Sequence, residues 1–154
     1  MQVQIEVKGI ETVNKKLKQL QDIGSDLQPV MAELADHLYK VVDESFQKQQ
    51  TPDGISWNPI KPRKDDKSPN RILYDEGTMQ GTLSQKSNKN EAIVGLNATA
   101  NGYPYPIVHQ FGSQGGTIEA RAFMPIHKDG TIYEDTLQEL EDILEAFFED
   151  AITS

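Results

Sequence analysis

The sequence predicts an α+β fold: a single domain with an antiparallel sheet of about four strands packed against a long central helix, a C-terminal amphipathic helix and a long irregular loop. Three observations carry this expectation. Apolar residues recur at helical spacing over residues 27–46 and again over 133–151, they alternate at strand spacing near residue 5 and near residue 121, and four prolines crowd residues 50–70. At 154 residues the chain has the length of one domain, with one core to bury rather than two.

In chain order, "QVQIEVK" sets Val3, Ile5 and Val7 on one side and Gln2, Gln4, Glu6 and Lys8 on the other, the period of a half-buried strand. Glu11 to Ile23 places Val13, Leu17, Leu20 and Ile23 on one stripe, and Gly24 stops that helix. A second helix starts with Ser25 or Asp26 as cap, tolerates Pro29 in its first turn and runs to about Gln49. Its predicted apolar face is Leu27, Met31, Leu34, Leu38, Val41 and Phe46, flanked by Ala35 and Val42. From Gln50 to Asn70 the prolines exclude a helix or central strand, and Trp57 is predicted to pin this loop to the body. A hairpin follows, with strands over Thr82 to Lys86 and Glu91 to Leu96. "YPYPIVHQFG" (103–112) reads as an irregular segment crossing the sheet. "TIEARAFMPI" then reads as a strand with Ile118, Ala120, Ala122 and Met124 on one face. Thr131 to Ile152 closes the chain as a helix with Tyr133, Leu137, Leu140, Leu144, Phe147 and Ala151 on its stripe and Asp129 or Thr131 as cap.

Most familiar chemistries are excluded by what the sequence lacks. With no cysteine there is no disulfide and no thiolate nucleophile. The sequence has no serine elbow, and "GSQGG" is not followed by the lysine of a phosphate-binding loop. His37, His109 and His127 lie too far apart for paired metal-ligand spacing, so neither metal nor cofactor is expected. "MQVQIEVKG" is unlike a signal peptide and no apolar run reaches bilayer length, which predicts a chain kept in the cytoplasm with no membrane partner.

One dense constellation remains: Tyr103, Tyr105, His109, Gln110 and Phe111, with Asp75 and Glu76 as acids that could orient the histidine as a base. No nucleophile accompanies it. The reading preferred here is that His109 and Gln110 satisfy backbone groups, Phe111 enters the core and Gly112 lets the chain turn.

Net charge is −9, and eight acids with no lysine or arginine lie between Glu134 and the end. The opposite sign collects at Lys61, Arg63, Lys64, Lys67 and Arg71, partly offset by Asp65 and Asp66. So short a basic run in so acidic a chain argues against sequence readout of nucleic acid. Charge runs of this kind read first as solvated faces, and opposite signs at mid-chain and tail also suit steering identical subunits together.

The order "FQKQQTPDGISWNPIKP", "ILYDEGTMQGTL", "AIVGLNA", "YPIVHQFG" and "IEARAFMPI" resembles the phage virion morphogenesis family, the tail-completion proteins of Mu-like and P2-like phages. The matching positions are Phe46; Pro52, Asp53, Gly54 and Trp57; Ile72, Leu73 and Gly77; Val94 and Gly95; Tyr105, His109, Gln110, Phe111 and Gly112; and Ala120, Arg121 and Phe123. The resemblance implies a structural protein without catalysis, acting in tail completion or head-tail joining. It also implies a homo-oligomeric ring that meets other tail or neck proteins, assembled in the bacterial cytoplasm and carried on the virion. Lys61, Arg63, Lys64, Glu149 and Asp150 are the candidate interaction surface, and Arg121 is expected near carboxylates of its own chain. Two alternatives are a small prophage-encoded hydrolase using His109 and a host-directed binding protein.

Overall fold

The computed structural model describes residues 7–58, 78–96, 105–113, 115 and 119–153. Within these, the chain forms helix α1 (Glu11–Asp22), helix α2 (Gln28–Lys48), a helical turn α3 (Thr78–Gly81), strands β1 (Ser84–Ser87) and β2 (Ala92–Gly95), helix α4 (Tyr105–Phe111) and helix α5 (Glu134–Thr153). The expected strand over residues 2–8 falls mainly outside the described residues, as do the basic run, Gly77 and Asp75.

The central element is α2. One side of it carries α5, which also packs along α1, and the β1–β2 hairpin packs on another side. Being covered from two directions widens its buried stripe. Val30 and Val42 are sealed at 1% and 0% exposure, Met31, Leu34, Ala35 and Phe46 are buried, and Val41 is only partly so. The sequence stripe therefore needs correcting: it omitted Val30 and put Val41 ahead of Val42.

Local chemistry explains the helix ends. Asp26 accepts the N–H of Gln28 at 3.1 Å, and Pro29 sits in the first turn, where no helical donor is lost. Helix α1 ends in a Schellman-type closure, with Ser25 N–H donating to the Leu20 carbonyl at 3.1 Å and Gly24 at φ +80. The helix stops at Asp22, so Ile23 turns away from the stripe and is 48% exposed.

Helices α1 and α5 run parallel: Thr12 donates to Glu141, and one turn later Lys16 meets Glu145 at 2.8 Å. Lys16 also lies 4.6 Å from the centroid of Phe148. Against α2, α5 runs antiparallel. Its early residue Glu139 contacts His37, while Phe147, Phe148 and Ala151 pack on the cluster that holds Val30, Met31 and Leu34. That cluster, completed by Val13, Leu20, Ile132, Leu140 and Leu144, is the larger core. A second joins Val42, Phe46, Trp57, Leu83 and Phe123 at the carboxyl half of α2.

Among the described residues the sheet has two strands, not about four, in antiparallel register Ser84↔Gly95 to Ser87↔Ala92. The strand predicted around residues 118–124 does not form over its described part. Backbone groups there are bonded by side chains and by α4 instead of by a ladder. The strand alternation is overturned as well: Phe123, assigned to the outer face, is 2% exposed, whereas Ala120 is exposed.

The start of α5 also differs from expectation. Asp129 accepts the hydroxyl and N–H of Thr131 at 2.6 and 2.9 Å, which closes the turn before the helix rather than capping it. The Tyr133 carbonyl receives the first helical N–H, from Leu137.

Two outcomes follow. Leu144 is 0% exposed and should lose about 2–5 kcal/mol in urea unfolding on change to alanine, whereas Ile152→Ala, at a site 58% exposed, should fall within about 0.5 kcal/mol. The bonds from the Thr131 hydroxyl, then its N–H, hold the Asp129 carboxyl below the usual range. A lowered pKa supplies stability that is complete above the unfolded value near about 4 and lost as pH falls through the folded value. Melting temperature should therefore fall more steeply on acidification below about pH 4 in the wild type than in Asp129→Asn.

Candidate functional site

Residues 105–111 form α4 rather than an irregular segment. Pro106 is compatible with the first turn, and Gly112, at φ +80, ends the helix by donating its N–H to the Val108 carbonyl at 2.6 Å. The last turn presents Gln110, which is 4% exposed.

The Gln110 amide is a clamp. Its oxygen accepts the N–H groups of Phe123 and Met124, both at 2.9 Å. Its nitrogen donates to the carbonyls of Met124 at 2.9 Å and Ile126 at 3.2 Å. One side chain thus occupies four backbone positions that a neighbouring strand would otherwise fill. The His109 carbonyl adds a fifth bond by accepting the Arg121 N–H at 2.7 Å. Where the sequence suggested that both His109 and Gln110 satisfy backbone, the clamp geometry belongs to the glutamine side chain and the histidine main chain. Phe111 is only half-buried, and Phe123 is the aromatic that enters the second core.

Trp57 closes the other side. It is buried, its ring meets Phe46 edge-on at 6.1 Å, and its indole N–H donates to the Ala122 carbonyl at 2.8 Å. Phe46 and Phe123 stack with centroids 5.0 Å apart. The turn leading to Trp57 is equally constrained. Gln49 takes φ +52, the Trp57 N–H donates to the Gln49 carbonyl at 2.9 Å, and Thr51 N–H donates to the Ile55 carbonyl at 2.7 Å. Gly54, at φ +92, completes that turn.

Arg121 lies where a carboxylate of its own chain can reach it, 3.6 Å from Glu119, and its Nε donates to the Asn58 carbonyl at 3.0 Å. Asn58 in turn donates to Glu119. These contacts hold the chain as it leaves toward the basic run. Lys61, Arg63 and Lys64 themselves lie outside the described residues, and so does Gly77. The return is held by α3, where the Gln80 side chain donates to Asp43 on α2 at 3.1 Å.

Glu149 and Asp150 are exposed, and no ion pair reaches either among the described residues. Three earlier acids of α5 are engaged, Glu139 by His37, Glu141 by Thr12 and Glu145 by Lys16, whereas Glu134 and Asp135 in its first turn are exposed. Burial, then the charge of Asp53, pushes the Tyr133 hydroxyl up from its usual pKa.

Two open grooves lie among the described residues. One, of about 450 Å³ between α1 and α5, is lined by Lys15, Lys16, Glu141 and Glu145 among others. The other, of about 290 Å³, lies between α2, the Gln50–Pro52 turn and Glu139. The first is walled by charged and polar side chains, and the second holds His37, contacted by Glu139, with Ser45 and Thr51 also in its lining. Among the described residues no group of three or more histidines and carboxylates is placed to hold a metal.

The clamp was only half legible. A glutamine in a crowded aromatic run signals a buried amide in need of partners, but which backbone it meets depends on the long-range approach of residues 121–126. Gln110→Ala should cost about 2–5 kcal/mol by denaturant unfolding, because it strips partners from two N–H and two carbonyl groups. Trp57→Phe, which keeps an aromatic but removes one buried donor, should cost about 1–2 kcal/mol in the same measurement.

The sequence profile of the phage virion morphogenesis family matches residues 6–149. A relative, the Mu-like prophage FluMu G protein 2 of Haemophilus influenzae, is 27% identical over 150 residues, covering 94% of this chain and 96% of that protein. No solved structure matches the chain. The match spans α1 to α5 and includes every element of the clamp, and the chain therefore belongs to the phage virion morphogenesis family.

Proposed function

We propose that this chain is a structural, non-catalytic component of a phage or prophage particle. It acts in tail completion or head-tail joining, by assembling as a homo-oligomeric ring that contacts other tail or neck proteins. Assembly takes place in the bacterial cytoplasm, and the product stays with the virion. Family membership and the prophage relative support a role in building the particle.

The observation that supports self-assembly is the placement of charge along α2. The chain leaves for its basic run at Asn58, held to the carboxyl half of α2 through Trp57 and Phe46. Because α5 runs antiparallel to α2, Glu149 and Asp150 lie toward the amino end of α2. At 21 residues α2 is about 31 Å long. The point where the chain leaves toward its basic run and the acids at the end of α5 therefore lie toward opposite ends of α2. Head-to-tail contacts need two such different, complementary patches, and they close into a ring when the rotation between copies allows.

Lys61, Arg63 and Lys64 of one copy meet Glu149 and Asp150 of the next in this arrangement. Reversing the first set with K61E, R63E and K64E should abolish the oligomer in sedimentation velocity and lower particle yield. Adding E149K and D150K to that chain should restore both. Failure of the second set to rescue, with the fold intact by circular dichroism, removes this pairing. The contact should also weaken between about 0.05 and 0.5 M salt, since exposed charges are screened over a few ångströms to about 14 Å in that range.

A further inference from the structure

The hairpin leaves one edge ready for another strand. Asn88 N–H donates to the Glu91 carbonyl at 2.9 Å, which makes Asn88 and Glu91 a hydrogen-bonded pair. Bonded and non-bonded pairs alternate in an antiparallel ladder, so Lys86↔Ile93 and Ser84↔Gly95 are bonded and the main-chain groups of Ala92 and Val94 point outward. No hydrogen bond reaches those outward groups among the described residues.

The two edges differ in chemistry. β1 reads Ser-Gln-Lys-Ser, polar and carrying the lysine that commonly guards an edge. β2 reads Ala-Ile-Val-Gly, with Ile93 45% exposed, and carries neither charge nor proline. An apolar edge of this kind is a template for strand addition unless something covers it.

The chain also holds a strand-patterned segment near residue 5. Val3, Ile5 and Val7 alternate with Gln2, Gln4, Glu6 and Lys8. The Lys8 backbone is fixed beside the start of α5, donating to the Gly130 carbonyl at 2.8 Å and accepting from Ile132 N–H at 3.1 Å. Val7 is 37% exposed there. The hairpin packs on α2, whereas this anchor belongs to the α1–α5 side. Six extended residues reach about 20 Å, enough to run the full length of β2.

We propose that the segment Gln2–Val7 of one copy adds as a strand to the β2 edge of a neighbouring copy. This inference rests on the self-assembly reading and specifies a contact within it that is independent of the charged pairing. Main-chain bonds from Ala92 and Val94 hold the strand, and its alternate apolar side chains cover the face that Ile93 leaves open.

The chain has no cysteine, so introduced thiols report without background. Full-length chains carrying Val3→Cys, Ile5→Cys or Val7→Cys, whose side chains share the face of Ile93, are mixed in turn with isotope-labelled Ile93→Cys chain under mild oxidation. The expected result is a mixed-mass disulfide dimer from at least one pairing. Ile5→Pro should also weaken self-association about tenfold or more without changing the far-ultraviolet spectrum, since it removes a ladder donor. A doubly substituted chain that closes only on itself overturns the proposal by placing the segment on its own hairpin. Normal oligomers with no cross-link in any pairing overturn it too, and leave the assembly reading standing. A wild-type chain that stays monomeric at every concentration refutes the assembly reading itself.

Discussion

A buried peptide group must find a partner, and the path of residues 121–126 is set by how that requirement is met. Here four of the partners come from one side chain. The Gln110 amide matches a peptide in its donors and acceptors, so it can stand in for a neighbouring strand without the length of chain a strand requires. Phe123 is thereby aimed inward onto Phe46, and the Ala122 carbonyl is left facing the indole of Trp57. Without the clamp, the second core would lose the residue that connects its two sides.

The two hydrophobic clusters share α2 and otherwise draw on different parts of the chain. The first is built by α1 and α5, whose residues are separated by more than a hundred positions and packed in parallel. The second gathers short irregular pieces around the carboxyl half of α2 and relies on buried hydrogen bonds as much as on apolar area. The division suits their compositions. Long amphipathic helices bury area without demanding polar partners, whereas irregular backbone can be buried only where each polar group is paired.

Helices were legible because their periodicity is local. Both α2 and α5 lie within a few residues of the spans read from apolar spacing, and the hairpin between Ser84 and Gly95 follows its turn residues. The misreadings share a cause. Alternation at Ala120, Ala122 and Met124 is an honest strand pattern, but a strand also needs a ladder partner, and Gln110 had taken the positions. The residues 105–111 were read as irregular because Pro104 and Pro106 mask a short helix, although a proline in a first turn costs little. The Val41 and Val42 exchange came from assuming that α2 is covered on one side. Sequence spacing reports a face, and only packing reports how many faces.

The charge pattern gains meaning from direction rather than from composition. Acids are spread along α5, but those in its middle are consumed within the subunit, by His37, Thr12 and Lys16. Each such exposed contact contributes little to stability, about 1 kcal/mol or less. Glu134 and Asp135 at the start of α5 and Glu149 and Asp150 at its end make no ion pair among the described residues. Lys16 reaches only as far as Glu145 and the Phe148 ring, one turn short of Glu149 and Asp150. Negative charge in the last turn also opposes the helix's own dipole, a cost that a cation brought from outside would offset. The same antiparallel packing that buries Leu140 and Leu144 against α2 therefore carries Glu149 and Asp150, which no ion pair reaches among the described residues, toward the amino end of α2.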